Sequence, residues 1–308
     1  MVEPHYGPGR ARRLCGGVPS WILAAAIAAL APQFAAGLSP AAGAAALRAR
    51  MATIADKLDY NQFRRPLYME SKDGQEGVSG DVYALVSHPF DSAAATLGKP
   101  GEWCELLLLH LNNKYCRASA EAGRMLMRVN IGKKHDQPLE ETYRVNFVYD
   151  VVATGADYLH VTMGAAEGPF GTSNYRIAFE ATPAPEGKTF IHLSYSYAYG
   201  VAGRLAMMAY LASAGRDKVG FTLVAKERGG QPQLIDGVRG VVERNTMRYY
   251  LAIESYLGAL LVPLPARQEK GLRDWFAAAE RYKRQLHEVD ITEYLDTKRR
   301  EYIRQRAG

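Results

Sequence analysis

Three cysteines in 308 residues are few, and only Cys104 and Cys116 lie beyond the N-terminal segment. A disulfide-dense scaffold is thereby excluded. Zinc-type spacing is missing as well: there is no Cys-x-x-Cys and no His-Glu-x-x-His, and His88, His110 and His135 stand apart. Neither the dinucleotide-binding nor the P-loop glycine spacing occurs, so no cofactor and no metal are expected. No Gly-x-Ser-x-Gly elbow surrounds any serine. Beyond the N-terminal segment no apolar run approaches the ~20 residues of a membrane span, and Leu106–Leu109 is far too short. Charge of one sign is lacking too. The formal net charge is +6, but Arg10, Arg12, Arg13 and the basic stretch 264–308 carry most of it. The centre is close to neutral, so no nucleic-acid partner is expected; such a binder gathers Lys and Arg on one face.

What is present at the N-terminus reads as an export signal. Arg10, Arg12 and Arg13 precede the uncharged apolar run Trp21–Leu30, and small residues follow, with cleavage expected at Ala42-Gly-Ala44 or Ala44-Ala-Ala46. Pro32 and Gly37 interrupt the run, which favours cleavage over an uncleaved membrane anchor. A periplasmic or otherwise exported chain follows. Cys15 would leave with the signal. The remaining even pair, Cys104 and Cys116, is expected to form a disulfide; the alternative is two buried free thiols.

Four segments are expected: a signal peptide over 1–44, a helical and extended lead-in over 45–74, a main domain over 75–262, and a helical extension over 263–308. In the lead-in, Leu47, Met51, Ile54 and Leu58 have helical spacing, and Lys72–Gly77 is turn chemistry. Gly80–Val86 alternates as a strand, and Asp91 or Ser92 is placed to cap a helix that Pro100-Gly101 breaks. A second helix is read from Glu102 to Leu111. Strands are read over Met125–Ile131, Thr142–Val152, Tyr158–Met163, Ser173–Ala181 and Phe190–Tyr199, joined by Gly- and Pro-rich turns. Gly203–Ser213 has helix formers, and a strand resumes over Lys218–Val224. Last comes a long helix from Asp236 to Leu261. Its apolar stripe includes Val238, Val242, Asn245, Tyr249, Ile253 and Tyr256, with Arg239 and Glu243 read as a surface pair. Leu272, Trp275, Phe276 and Ala279 form a further stripe, and Tyr294, Leu295 and Tyr302 a weaker one.

The fold class is therefore α+β. The order of elements and the segments Gly80–Val86, Glu102-Trp-Cys-Glu105 and Val238-Arg-Gly-Val-Val-Glu-Arg-Asn245 resemble the START-like helix-grip superfamily over roughly residues 75–262. That resemblance implies a curved antiparallel sheet wrapped around a long C-terminal helix, with a ligand cavity between them. It implies lipids, sterols or polyketides as the ligand range, and it spans enzymes as well as binders.

The candidate binding residues are Phe147, Tyr149, Tyr195, Tyr197, Asn245, Tyr249 and Ile253. Tyrosine combines an apolar ring with a hydroxyl that needs a partner when buried, which suits an amphiphilic ligand. An ordinary aromatic core explains the same pattern. Asn245, the polar member of the helix stripe, must bond to the sheet, to water or to a ligand. His160, His192 and Ser194 would form a cluster if their strands paired, but no orienting carboxylate is identifiable, and an exposed polar face is the favoured explanation of the same pattern. The insert Leu205–Leu211 reads as a cavity lid, a membrane-touching segment or a core-packed helix. The expected function is binding, and carrying, an apolar or amphipathic lipid-like small molecule in an exported compartment, with peripheral membrane contact as a second interaction. A cyclase- or hydrolase-type enzyme on the same scaffold stays open, as does an interaction module that docks through its C-terminal helices.

Overall fold

The structure, a computed structural model, describes residues 39–75, 77–213, 215–226 and 232–307. The stretches read as the n-region and apolar core of an export signal, and Cys15, lie outside the described residues. Among the described residues no helix is long and apolar enough to cross a membrane.

Among the described residues the first element is α1 (Pro40–Thr53), whose N-terminus is capped by the Ser39 hydroxyl, followed by a short α2 (Ala55–Asp59). The expected cleavage window therefore falls inside α1, where Ala44 is fully buried. The strand β1 (Leu67–Gly74) follows in the segment read as lead-in and turn; it pairs along its whole length with β2 (Gly77–Val86). Gly77 makes this hairpin feasible. Its φ is +131°, and a Cβ there would lie 2.3 Å from the Tyr197 carbonyl oxygen.

Two helices come next, α3 (Phe90–Leu97) and α4 (Pro100–Leu107). The cap of α3 is Pro89, not Asp91 or Ser92, because the chain turns into the helix one residue earlier. Pro100 sits in the first turn of α4, where its missing N–H costs nothing. The meander then runs through β3 (Asn113–Glu121), β4 (Arg124–Ile131), β5 (Tyr143–Gly155), β6 (Tyr158–Glu167), β7 (Thr172–Ala184) and β8 (Lys188–Tyr199). The strand β3 was not read from the sequence. It turns into β4 through Ala122-Gly123, both at positive φ, as a two-residue hairpin requires. The antiparallel sheet has the order β1-β2-β8-β7-β6-β5-β4-β3.

After β8 come α5 (Val201–Ala212) and a small hairpin of β9 (Leu223–Lys226) and β10 (Pro232–Leu234). The strand expected over Lys218–Val224 is thus mostly absent. The amides of Phe221 and Thr222 donate to the Glu243 carboxylate at 2.6 and 2.9 Å instead of to a ladder. The long helix is α6 (Gly237–Ala259), and α7 (Leu264–Glu280), α8 (Lys283–Leu286) and α9 (Ile291–Ala307) complete the fold. This is the helix-grip architecture: a curved antiparallel sheet closing on one long helix, with helices added at both ends.

The added C-terminal helices change the status of α6. Its outer side is covered, so the helix is buried nearly all round rather than amphipathic. The expected surface pair of Arg239 and Glu243 is not formed. Glu243 is 0 % exposed and accepts from Ser71, Phe221 and Thr222, while Arg239 donates to the Ser71 hydroxyl at 3.0 Å. Trp275 of α7 donates to the Arg248 carbonyl, and Tyr294 and Tyr302 of α9 donate to the carbonyls of Leu109 and Glu105. A fully buried set fastens α9 further. Lys298 donates to the carbonyls of His110 and Asn113 and to Glu301, which also accepts from Lys114. The apolar stripes read in 263–308 are therefore used within this chain. Cys104 on α4 and Cys116 on β3 form a disulfide with Cα atoms 5.1 Å apart, within the range that geometry permits.

Candidate functional site: an aromatic cavity with a cationic wall

A cavity of about 590 Å³ lies between the concave face of the sheet, α6 and α5. Side chains alternate along strands, so one face of β5 to β8 turns inward as a set. Phe147, Met163, Ile177, Tyr175, Tyr195 and Tyr197 are that set at the cavity. Tyr175 and Tyr197 stack with centroids 5.3 Å apart, Tyr195 packs 5.4 Å from Tyr249, and Phe147 meets Tyr175 edge-on. Burial raises the hydroxyl pKa of Tyr175, Tyr195, Tyr197 and Tyr249 above the ordinary value, so all four remain neutral hydroxyls. Met207 and Tyr210 of α5 close one side.

Five of the seven residues singled out from the sequence line this space: Phe147, Tyr195, Tyr197, Asn245 and Tyr249. Two do not. Tyr149 is buried two positions further along β5 and donates to the Leu97 carbonyl at 3.3 Å. Ile253 is fully buried one turn beyond Tyr249, within the packed core. Asn245 bonds not to the sheet but to its own helix, accepting from Arg248 at 3.3 Å. Tyr143, on the same alternation as Phe147, is exposed at the strand end.

Sequence reasoning missed the polar part of the wall: the cationic Lys134, Arg244 and Arg248, and His110 beside them, all line the cavity. The signal was present in part. Arg244 and Arg248 are four apart and adjoin Asn245 and Tyr249, so they share the cavity side of α6. They were not singled out from the sequence, because nothing in the local pattern reveals that α7 covers the opposite face. Among the described residues no carboxylate lines the cavity. His110 accepts the Asn112 amide at Nδ1 and stacks 5.0 Å from Tyr249. Burial, then the charges of Arg248, Lys298, Lys114 and Lys134, lower its pKa well below the ordinary value, so the ring is neutral.

The histidine–serine cluster is not formed as expected. The strand β7 separates β6 from β8, and no hydrogen bond joins Ser194 to His160 or His192 among the described residues. Instead His192 sits between two carboxylates, 2.8 Å from Glu180 and 2.9 Å from Asp81. This row lies on the face opposite the cavity, beneath α1, and Glu180 also accepts from Tyr158. Tyr83 stacks on His192 at 4.3 Å, and Arg50 of α1 lies over Tyr83. No group of three or more potential metal ligands occurs among the described residues.

A helix-grip domain with an internal, tyrosine-rich cavity is the class that fold and site define. No family model matches the chain, and no curated protein matches it. Solved structures resemble it in arrangement. Human StAR-related lipid transfer protein 5 is 11 % identical, with 71 % of this chain and 99 % of that chain covered and a TM-score of 0.39. The structure titled Ara h 8.0201 is 11 % identical, covering 63 % and 99 %, with a TM-score of 0.32. Truncated norcoclaurine synthase from Thalictrum flavum is 16 % identical, covering 48 % and 95 %, with a TM-score of 0.29.

Proposed function

We propose that this protein binds an apolar or amphipathic small molecule in the cavity between the sheet and α6, and carries it. The observation that supports this most is the cavity itself. Its volume of about 590 Å³ falls within the range of small-molecule sites. Aromatic and aliphatic side chains dominate its wall, so affinity would come from removing apolar ligand surface from water, about 25 cal/mol per Å² before the costs of association. An acid/base pair for cyclase or hydrolase chemistry would need a second titrating partner beside the neutral His110. Among the described residues the lining offers no carboxylate for that role, and its amine, Lys134, is held in an ion pair with Glu288. Binding is therefore favoured over catalysis.

The same reading assigns α5 the role of a lid. Val201, Leu205 and Met208 of α5 are exposed, and the neighbouring Phe170 is exposed at the edge of the cavity, while Met207 lines it. Such a lid would touch a membrane when it opens to load or release cargo. Export belongs to the proposal as well, and the Cys104–Cys116 disulfide supports an oxidising compartment. Processing before Ser39 would leave α1 whole; processing at 44–46 would remove Gly43 and Ala44, which pack under Tyr158. Native mass spectrometry of the protein purified from its own cell envelope tests the binding reading. A co-purified lipid-sized mass is expected. Ligand-free protein that also fails to take up an added lipid would overturn it.

A further inference from the structure

The cavity's polar groups are nearly all of one kind, and they are incompletely partnered. Arg244 is 2 % exposed, lines the cavity and donates to the Val219 carbonyl at 3.2 Å, yet no carboxylate lies within ion-pair distance of it among the described residues. A buried guanidinium without a counter-charge is costly and is normally paired. Arg248, 5 % exposed, binds Glu288 at 2.7 Å but leaves its Nε without a partner. His110, 3 % exposed, accepts at Nδ1, so its neutral ring carries the proton on Nε2, and that donor has no partner either. Glu288 is also shared with Lys134 and, at 3.3 Å, with Lys218. One carboxylate thus faces Arg248, Lys134 and Lys218, and Arg244 lies outside that set. The electrostatic coupling of Lys134 to both arginines, and of His110 to Arg248 and Lys134, marks one cluster rather than scattered charges.

Cationic and N–H donor groups left unmatched on one part of an otherwise apolar wall call for an anionic acceptor. We propose that the cavity's ligand is an acidic amphiphile, with its carboxylate or phosphate seated against Arg244, Arg248 and His110 and its apolar tail among Tyr175, Tyr195 and Ile177. This rests on the binding reading above and narrows it to a ligand class. Arg244, which no carboxylate pairs among the described residues, would make a two-point contact with a planar carboxylate or with two phosphate oxygens. His110 Nε2 and Arg248 Nε would supply single N–H donors. A neutral sterol or alcohol would leave these groups desolvated and unmatched, and a cationic lipid would be repelled.

Displacement of Nile red, a neutral probe, tests this with oleate, oleoyl lysophosphatidate, oleyl alcohol and oleylamine, which share one tail. At least one of the two acids is expected to displace the probe at a concentration tenfold or more below that of the alcohol, equivalent to about 1.4 kcal/mol. The amine is expected to be weakest. Preference for oleate over lysophosphatidate, or the reverse, identifies the head group. In Arg244→Met the acid preference should fall to threefold or less. Lys134→Gln, at the edge of the cluster, should lower it partially and serves if Arg244→Met does not fold. Equal displacement by acid and alcohol in the wild type overturns the acidic-ligand inference while leaving the binding reading intact. Failure of Nile red and all four competitors to bind overturns both.

Discussion

Replacing His192 with glutamine removes the cation that three strands share on the outer face of the sheet. Burial alone would lower the pKa of this imidazole, but hydrogen bonds and charge from Asp81 and Glu180 outweigh it and hold the pKa at about 9, against an ordinary 6.5. The other groups facing the ring are Tyr83 from β2 and, through Glu180, Tyr158 and His160 of β6, with Arg50 of α1 above Tyr83. A rise of this size corresponds to about 3 kcal/mol of folding free energy, at 1.36 kcal/mol for each factor of ten. The pKa is raised on folding, so the contribution is full below pH 6.5 and is lost as pH climbs through about 9. Urea unfolding of wild type and His192→Gln between pH 6 and pH 10 measures it, because titrations common to both proteins cancel in the difference. At pH 6 the variant should be less stable by about 3 kcal/mol, since two partly buried carboxylates lose their shared partner. The gap should narrow by about 3 kcal/mol, to near zero, by pH 10. A gap that stays constant across the range would refute an ionised His192 in the folded state.

The Cys104–Cys116 bridge closes a loop with a separation of 12 residues, which the chain-entropy model values at about 3 kcal/mol. Replacing both cysteines with serine should lower Tm by roughly 6–12 °C, and an unchanged Tm would show that the bridge does not form in solution. Lys298→Met leaves the carbonyls of His110 and Asn113 without their donor and should destabilise by about 3–5 kcal/mol in denaturant unfolding; a loss below about 1 kcal/mol would mean that α9 is not fastened by this group. N-terminal sequencing of envelope-derived protein should give a start no later than Ser39, preserving α1; a start at 45–47 would contradict the role given to Gly43 and Ala44.

The parts of the fold that were legible in the sequence share one property: their pattern is set locally by burial of one face. Strand β5, with Val145, Phe147 and Tyr149 alternating against Arg144, Asn146 and Asp150, and the inward tyrosines of β8 belong to this group. Strand β3 was illegible because Arg117, Ser119 and Glu121 lie among small alanines, and its pairing depends on the Ala122-Gly123 hairpin. Strand β1 was hidden by Lys72, Asp73 and Gly74, which look like turn residues but end an edge strand. The charged half of the site failed for a different reason. Glu243 reads as one half of a surface pair, and Arg244 and Arg248 carry no local sign of burial; the 219–222 segment covers Glu243 and meets Arg244, while α7 closes the other side of the helix. Glu180 and Asp81 could not be assigned to His192 because the order of strands β2, β8 and β7 is a property of the whole sheet.

The most direct test of a ligand-binding cavity is Nile red titration of wild type and Ile177→Trp, with thermal stability recorded on the same samples. Ile177 lies on β7, buried, with its side chain at the cavity wall, so an indole there would occupy the space assigned to the ligand. The expected result is saturable probe binding by the wild type, at least tenfold weaker binding by the variant, and stability within about 1 kcal/mol of wild type. Destabilisation by about 1–3 kcal/mol through overpacking, in a protein whose wild type does not bind the probe, would contradict an open cavity.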